Sequence, residues 1–538
     1  DPSTPRPPPK PVGASARVRH PARYGRPVPR VDVLRHPAAS SWSVLPDLGA
    51  ALAAIQSGGS DPDGTALVAV VGADDALGDT SARAAIEALG LHADDVLTTF
   101  APSTKAGAQT TIPLMPGAHA VRRVVLVGVD DGSDAAWRSA GAAIGRATRG
   151  RSRVVHAVAG AAGSQALAAY VEAVVLASWS SPRWTRKGPT VVTHPASEAV
   201  VAGTEDAVTV ADAEARARAQ LLARGLSMTP SNTKNPAWLA RQARAVAKQS
   251  HLDVRVWDER QLAREGFGGL IAVGSGSATP PRLVQLDHVP DGATAATPRV
   301  VLVGKGITFD TGGLQVKPVD GMVGMKTDMS GAAIVLAVVA ACHELGVAVR
   351  VTGLLALAEN AVDGASYRPG DVVTQYGGRT VEIGNTDAEG RIVLADALAY
   401  ADAALDPTVL VDVATLTGAA RIALGRTIAP VFATDAALGA ALEAAGATTG
   451  ETLWPMPLAQ TYRRALDSDV ADVAHIAPGV GGGAVTAALF LREFVGDRPW
   501  AHLDIAGTGR SDVDAGTSAK GATGFGTRLL LRWLEEMA

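Results

Sequence analysis

The sequence predicts an α/β protein of two domains, each a mixed, mostly parallel sheet flanked by helices. Three observations point there. Short apolar β-like runs alternate with Ala-rich helical stretches along most of the chain, the pattern of strand–helix–strand units. Gly, at 58 residues, and small aliphatics dominate, while aromatics supply only 4%. A chain of 538 residues, 47% hydrophobic, is too long for one ordinary core.

Residues 1–45 (DPSTPRPPPKPVG and onward) are Pro-rich and basic, a composition that cannot pack a core and reads as a disordered tail. Residues 46–205 form the N-terminal α/β domain. Its clearest strands are ALVAVV (66–71), RRVVLVGV (122–129) and RVVHAVA (153–159), and its helical pieces include SARAAIEALG (81–90) and DAAWRSAGAAIGRAT (134–148). Residues 206–225 read as a linker helix ending near Gly225. From 226 to 538 runs the second set. Expected strands are VRVWD, GGLIAVG, RVVLVGKG, RVTGLLAL, TVLVDVATLTG and WAHLDIAG; expected helices are GAAIVLAVVAACHELG and GRIVLADALAYADAAL.

Charge and cysteine content narrow the function classes. A formal charge of −4 argues against nucleic acid as the main partner, because phosphate binding needs a basic surface. A single cysteine, Cys342, excludes an internal disulfide and a cysteine-based zinc site, and its apolar setting reads as core. No run is expected to reach the ~18 apolar residues of a membrane span. The start of the chain lacks the apolar segment of a secretory signal.

The polar residues that stand out lie in the C-terminal half. The strand RVVLVG runs into Lys305, Asp310 and Lys317, just where open α/β sheets build their sites. A second piece, MKTDMSGAA, carries Asp328; a third, VEIGNTDAEGRIVLADAL, carries Asp387, Glu389 and Arg391. Burying four carboxylates together is prohibitively costly without counter-charge, and two divalent cations would resolve that cost. A metal pair also supports amide hydrolysis. Each fragment alone has a plainer reading. NTDAEG is usually a turn with a helix cap, and GKG a solvated loop. DTGG matches the aspartic-protease motif, but that enzyme needs two copies and this chain has one. GKGxTF lacks P-loop spacing, and neither HExxH nor GxSxG is present.

In combination the fragments are far more specific. NTDAEGRI (385–392), with GLLALAENAVDGASYRPGDVV, DVATLTGA, MTPSNTKNPAWLA and GFGGLIAVGSGSATPPRLVQL in order, resembles the M17 leucyl aminopeptidase (cytosol aminopeptidase) family through most of the C-terminal half. The N-terminal half is a looser match. Thr311 stands where the family more often has Ser, Ser330 where it has Gly, and Gln315 where a small residue is frequent. His475 stands where the family often has Asn, and reads as structural.

The resemblance implies a leucyl aminopeptidase, a metallo-exopeptidase cutting the N-terminal bond of short peptides and preferring leucine-like residues. It implies two divalent cations, Mn²⁺ or Zn²⁺. Lys305, Asp310, Asp328 and Glu389 would hold one, and Asp310, Asp387 and Glu389 the other. Lys317 would stabilise the oxyanion, and Arg391 would bind a bicarbonate ion that relays a proton. Met325, Asn385, Thr415, Leu416 and Ala506 would shape the substrate pocket. It further implies a homohexamer and a cytoplasmic location, although the start at Asp1 leaves an exported form open. Some family members also bind DNA; the acidic net charge weighs against that here.

Overall fold

The structure is a computed structural model that describes residues 40–56, 65–72, 83, 86–115, 120–185, 188–190 and 194–537. The expected tail through residue 39, and part of the helical piece 81–90, lie outside the described residues.

The N-terminal sheet runs, from one edge, Ser41–Leu45, Glu198–Ala202, Arg153–Ala157, Thr65–Gly72, Val121–Asp130 and Gln109–Pro113. Its strands are parallel except for the last pair. Residues 41–45, expected within the tail, belong to this sheet instead. Trp42 stacks on the buried His156 at 5.4 Å and the backbone pairs with Glu198–Ala202.

Helix Ala207–Met228, N-capped by Asp206, joins the halves and runs past Gly225, which is buried within it. It also carries an internal ion network. Arg216 pairs with Glu172 at 2.9 Å, and Arg528 of the C-terminal helix pairs with the same carboxylate at 2.7 Å. Both arginines are buried, so the network ties the two halves in low dielectric.

The C-terminal sheet has eight strands, ordered Leu453–Pro455, Ala429–Ala433, Trp500–Asp504, Val409–Ala414, Arg299–Asp310, Arg350–Asn360, Arg282–His288 and Asp253–Trp257. Its centre is parallel: Val409–Ala414, Arg299–Asp310 and Arg350–Asn360 run side by side. Helices Ser330–Ala341 and Glu389–Leu405 pack on this centre, and their first residues meet the carboxyl end of its longest strand. That crevice is where the site forms.

One expected strand is wrong. GGLIAVG is the helix Gly268–Gly274. Leu270 and Val273, three apart, face the core, and Asp396 accepts from Leu270 N at 2.8 Å, holding one of the helix's first N–H groups. The glycines pack tightly: a Cβ on Gly268 would lie 2.0 Å from the Thr374 carbonyl.

Cys342 is fully buried in the core beneath the central sheet. The stretch Val319–Ala341 is long and apolar enough to cross a membrane by length and composition, contrary to expectation. In the fold 78% of its most apolar 18 residues is buried, and its longest helical part is the core helix Ser330–Ala341.

Candidate metal centre

Lys305 lies inside the central strand and Asp310 ends it; both are almost fully buried. Asp328 closes a 3₁₀ turn, Met325–Thr327, two residues before helix Ser330–Ala341. Glu389 is the first residue of helix Glu389–Leu405, where the helix dipole favours a carboxylate, and Asp387 sits in the turn before it. Three chain segments thus deliver four carboxylates to one crevice.

Lys305 Nζ lies 3.0 Å from Asp328 Oδ2 and 3.0 Å from Glu389 Oε1, and donates to the Thr415 carbonyl at 2.9 Å. Lys317 Nζ pairs with Asp310 Oδ2 at 2.7 Å and closely with Asp387 Oδ1. Oxygen atoms of Asp310, Asp387 and Glu389 all fall within 4.8 Å of one another. Asp310 Oδ1 accepts from Gly312 N and from Asn360 Nδ2, both at 2.8 Å.

The electrostatics are strained. Burial, with Glu389 and Asp328 nearby, pushes Asp310 up to about 8, and burial pushes Asp328 up to about 6 despite Lys305. Burial alone would raise Glu389, but Lys305 and Lys317 outweigh it and hold it below its usual value. Burial likewise opposes the charged forms of Lys305 and Lys317, yet the surrounding carboxylates hold both above the usual lysine value.

Two lysines do not satisfy this cluster. Glu389 Oε2 is buried with no hydrogen-bond partner among the described residues, and Asp328 Oδ2 faces Lys305 without hydrogen-bond geometry. Unpaired buried carboxylate oxygens are costly, and an oxygen-rich donor set of this kind fits hard or borderline divalent cations. The residues present fit a metal site.

A cavity of about 510 Å³ opens over the cluster. Met325, Thr415, Leu416 and Ala506 line it, as do Lys305, Lys317 and the four carboxylates. Asn385 and Arg391 are not in its wall. Asn385 Oδ1 instead accepts from Asp387 N at 2.9 Å, shaping the turn. Arg391 is buried behind the cluster, donates to the His475 carbonyl at 2.7 Å, and is pushed down to about 10 by burial. Its Nε has no partner among the described residues.

Several supporting residues escaped the sequence reading. Asn360 ends the neighbouring strand in register with Asp310 and also donates to the Thr386 carbonyl at 3.0 Å. Asp504 accepts from the backbone of Leu416, Thr417 and Ala506, fixing two wall segments. Both sit at carboxyl ends of central strands, the position that already marked Asp310. Gln315 locks the two metal loops together, accepting from Thr386 N at 2.6 Å while its own N–H donates to Thr386 Oγ1 at 3.0 Å. Gly390 has a steric reason: a Cβ there would lie 2.6 Å from Lys305 Nζ.

The family model for the cytosol aminopeptidase family, catalytic domain, matches residues 221–531. A probable cytosol aminopeptidase of Leifsonia xyli subsp. xyli is 42% identical over 447 residues, 80% of this chain and 89% of the relative. One from Streptomyces avermitilis is 42% identical over 468 residues, 82% and 88% of the two chains. A solved structure of the bottromycin maturation enzyme BotP in complex with Mn superposes with a TM-score of 0.76 at 35% identity, covering 88% of this chain and 99% of that one. The chain belongs to the cytosol aminopeptidase family, whose members are metal-dependent hydrolases that release N-terminal residues from peptides.

Proposed function

We propose that this protein is a two-metal leucyl aminopeptidase acting on short peptides, with a catalytic C-terminal unit joined by helix Ala207–Met228 to an N-terminal unit that includes strand Ser41–Leu45. The observation that carries the reading is Glu389 Oε2, a carboxylate oxygen buried beside three other carboxylates with no hydrogen-bond partner among the described residues. Lys305, Asp310, Asp328 and Glu389 would hold one cation, and Asp310, Asp387 and Glu389 the other. Mn²⁺ or Zn²⁺ suits this donor set. When bound, such a pair supplies Lewis-acid polarisation of the scissile carbonyl and activation of water at neutral pH. Lys305 must give up its proton to serve as ligand, which the cations' charge favours.

The chain's own residues then orient and protonate. Lys317 stays an ammonium, held by Asp310 and Asp387 at the cavity wall, and donates to the oxyanion that develops on the peptide carbonyl. Asp328 faces the substrate's α-amine, which explains release of the first residue only. Arg391, with its buried Nε free of any acceptor among the described residues, is where a bicarbonate ion would be held as a proton acceptor. Met325 and Leu416 give the cavity apolar surface for a leucine-like side chain. A homohexamer in the cytoplasm completes the proposal, on the strength of the family membership.

The test is release of leucine from leucyl amide by chelator-stripped protein titrated with Mn²⁺ or Zn²⁺. Metal-restored cleavage, lost in Glu389→Ala and absent on the N-acetylated substrate, supports the reading. Silence with both metals contradicts it.

A further inference from the structure

A second cavity, of about 500 Å³, adjoins the metal cavity; Gly324, Thr327 and Arg510 line both. Its wall is strongly cationic. Arg149, Lys326, Arg510 and Lys520 face one carboxylate, Asp514, which already accepts from the Lys520 backbone N–H at 2.6 Å. Arg149 is engaged by the Ala177 and Trp179 carbonyls, and among the described residues Lys326 Nζ reaches only the Met228 carbonyl, at 3.3 Å. The side chains of Arg510 and Lys520 make no hydrogen bond or ion pair among the described residues. Arg510 lies close enough to Lys326 to repel it.

Crowding like charges in a concave, half-buried wall is unfavourable unless an anion enters. The placement of Arg510 also depends on a missing side chain. A Cβ on Gly324 would fall 1.6 Å from Arg510 Nη1, so glycine lets the guanidinium lie against the turn that leads into Asp328. Gly509 adds no side chain on the route between Ala506 and Arg510.

We propose that this second cavity is an anionic-group subsite of the peptidase, taking the side-chain carboxylate of an acidic first residue, Asp or Glu, with Arg510 as its principal contact. The proposal rests on the reading of Asp328 as the partner of the substrate α-amine. The first residue's side chain branches from the carbon that bears that amine, so it is the part of the peptide nearest the wall 324–327. An Arg fork and a carboxylate are geometrically matched, and the contact forms without disturbing an existing pair. Acidic first residues are thus accepted alongside leucine-like ones.

The experiment compares kcat/KM for glutamyl, glutaminyl and leucyl p-nitroanilides with Mn²⁺-loaded wild type, Arg510→Gln and Lys520→Gln. The expected result is a wild-type preference for glutamyl over its neutral isostere glutaminyl. That ratio falls about tenfold in Arg510→Gln, the loss of one charge-assisted pair, and less in the exposed Lys520→Gln. Glutaminyl preferred by wild type, or a ratio unchanged in both variants, overturns the subsite. Inorganic phosphate separates the other source of an oxyanion. Phosphate that inhibits glutamyl turnover more than leucyl turnover supports the subsite. Phosphate that alters both alike, through Arg510, makes the cavity a free-anion site and overturns the proposal. Leucine release without glutamate release removes the subsite alone, whereas release of neither removes the aminopeptidase reading and the subsite with it.

Discussion

Arg391 and His475 are joined through the main chain: Arg391 Nη1 donates to the His475 carbonyl at 2.7 Å. The His475 ring in turn holds the loop that leads to Asp387. Its Nε2 lies 2.9 Å from the Asn385 carbonyl, and Gly384 N donates to Nδ1 at 3.2 Å. Nδ1 also lies 3.0 Å from the Glu382 carbonyl, so the ring contacts the backbone on both sides. One buried side chain therefore fixes both the metal loop and the guanidinium behind it.

His475→Ala is expected to lower kcat and metal affinity by about tenfold or more, the usual cost of losing a residue that orients ligands. His475→Asn, which keeps a donor and an acceptor, recovers part of the loss. Activity and Mn²⁺ titration of the two variants check this. The pH response follows from the ring. Burial, then Arg391, depresses its pKa to about 4. A depressed histidine contributes stability that is intact above the unfolded value near 6.5 and is lost as pH falls through the folded value. Wild type should lose more stability than His475→Asn between pH 6.5 and 4, read by denaturant melts.

Gly390→Ala should silence the enzyme without unfolding it. The added Cβ would sit 2.6 Å from Lys305 Nζ, so Lys305 must leave its place between Asp328 and Glu389. Turnover is expected to fall by roughly 100-fold with an unchanged far-UV spectrum, the upper end of effects from disturbing a metal site's supports.

Metal removal should become more destabilising as pH rises from about 5 to about 8. In the metal-free protein burial and neighbouring carboxylates raise Asp310 to about 8. A carboxyl raised above its unfolded value stabilises fully below that value, and the contribution is lost as pH climbs through the folded one. Bound cations take over the proton's role as counter-charge, so Tm with chelator falls across this window while Tm with Mn²⁺ holds. Parallel Tm curves in the two conditions count against the cluster as the site.

Arg528→Met should cost about 3–5 kcal/mol of stability, because it strands buried carboxylates rather than removing a whole ion pair. Arg528 serves Glu172, Gln220 and the Thr449 carbonyl while itself buried. Urea unfolding measures the loss; turnover at low temperature should change little, since no atom of this network lines the metal cavity.

Much of this was legible in the sequence. Long apolar runs such as 299–306 and 350–357 announced the central strands, and NTDAEGRI announced the site, because buried parallel strands and carboxylates at strand ends leave local signatures. GGLIAVG was misread because a short apolar run fits helix and strand alike; what decides is Asp396, more than a hundred positions away, holding its first turn. Asn360 and Asp504 went unremarked for the same reason: the Asp310 carboxylate and Thr386 carbonyl that Asn360 serves, and the Leu416 and Thr417 N–H groups that Asp504 holds, are brought near only by the fold. The cationic second cavity is assembled from residues as distant as Arg149 and Lys520, which no local pattern connects.

The most direct test of the central claim is calorimetric titration of the chelator-stripped protein with Mn²⁺. Two ions bound per chain in wild type, with at least one lost in Glu389→Gln, is the predicted result. A single ion per chain, or two retained in Glu389→Gln with unchanged affinity, would contradict a dinuclear centre built on Glu389.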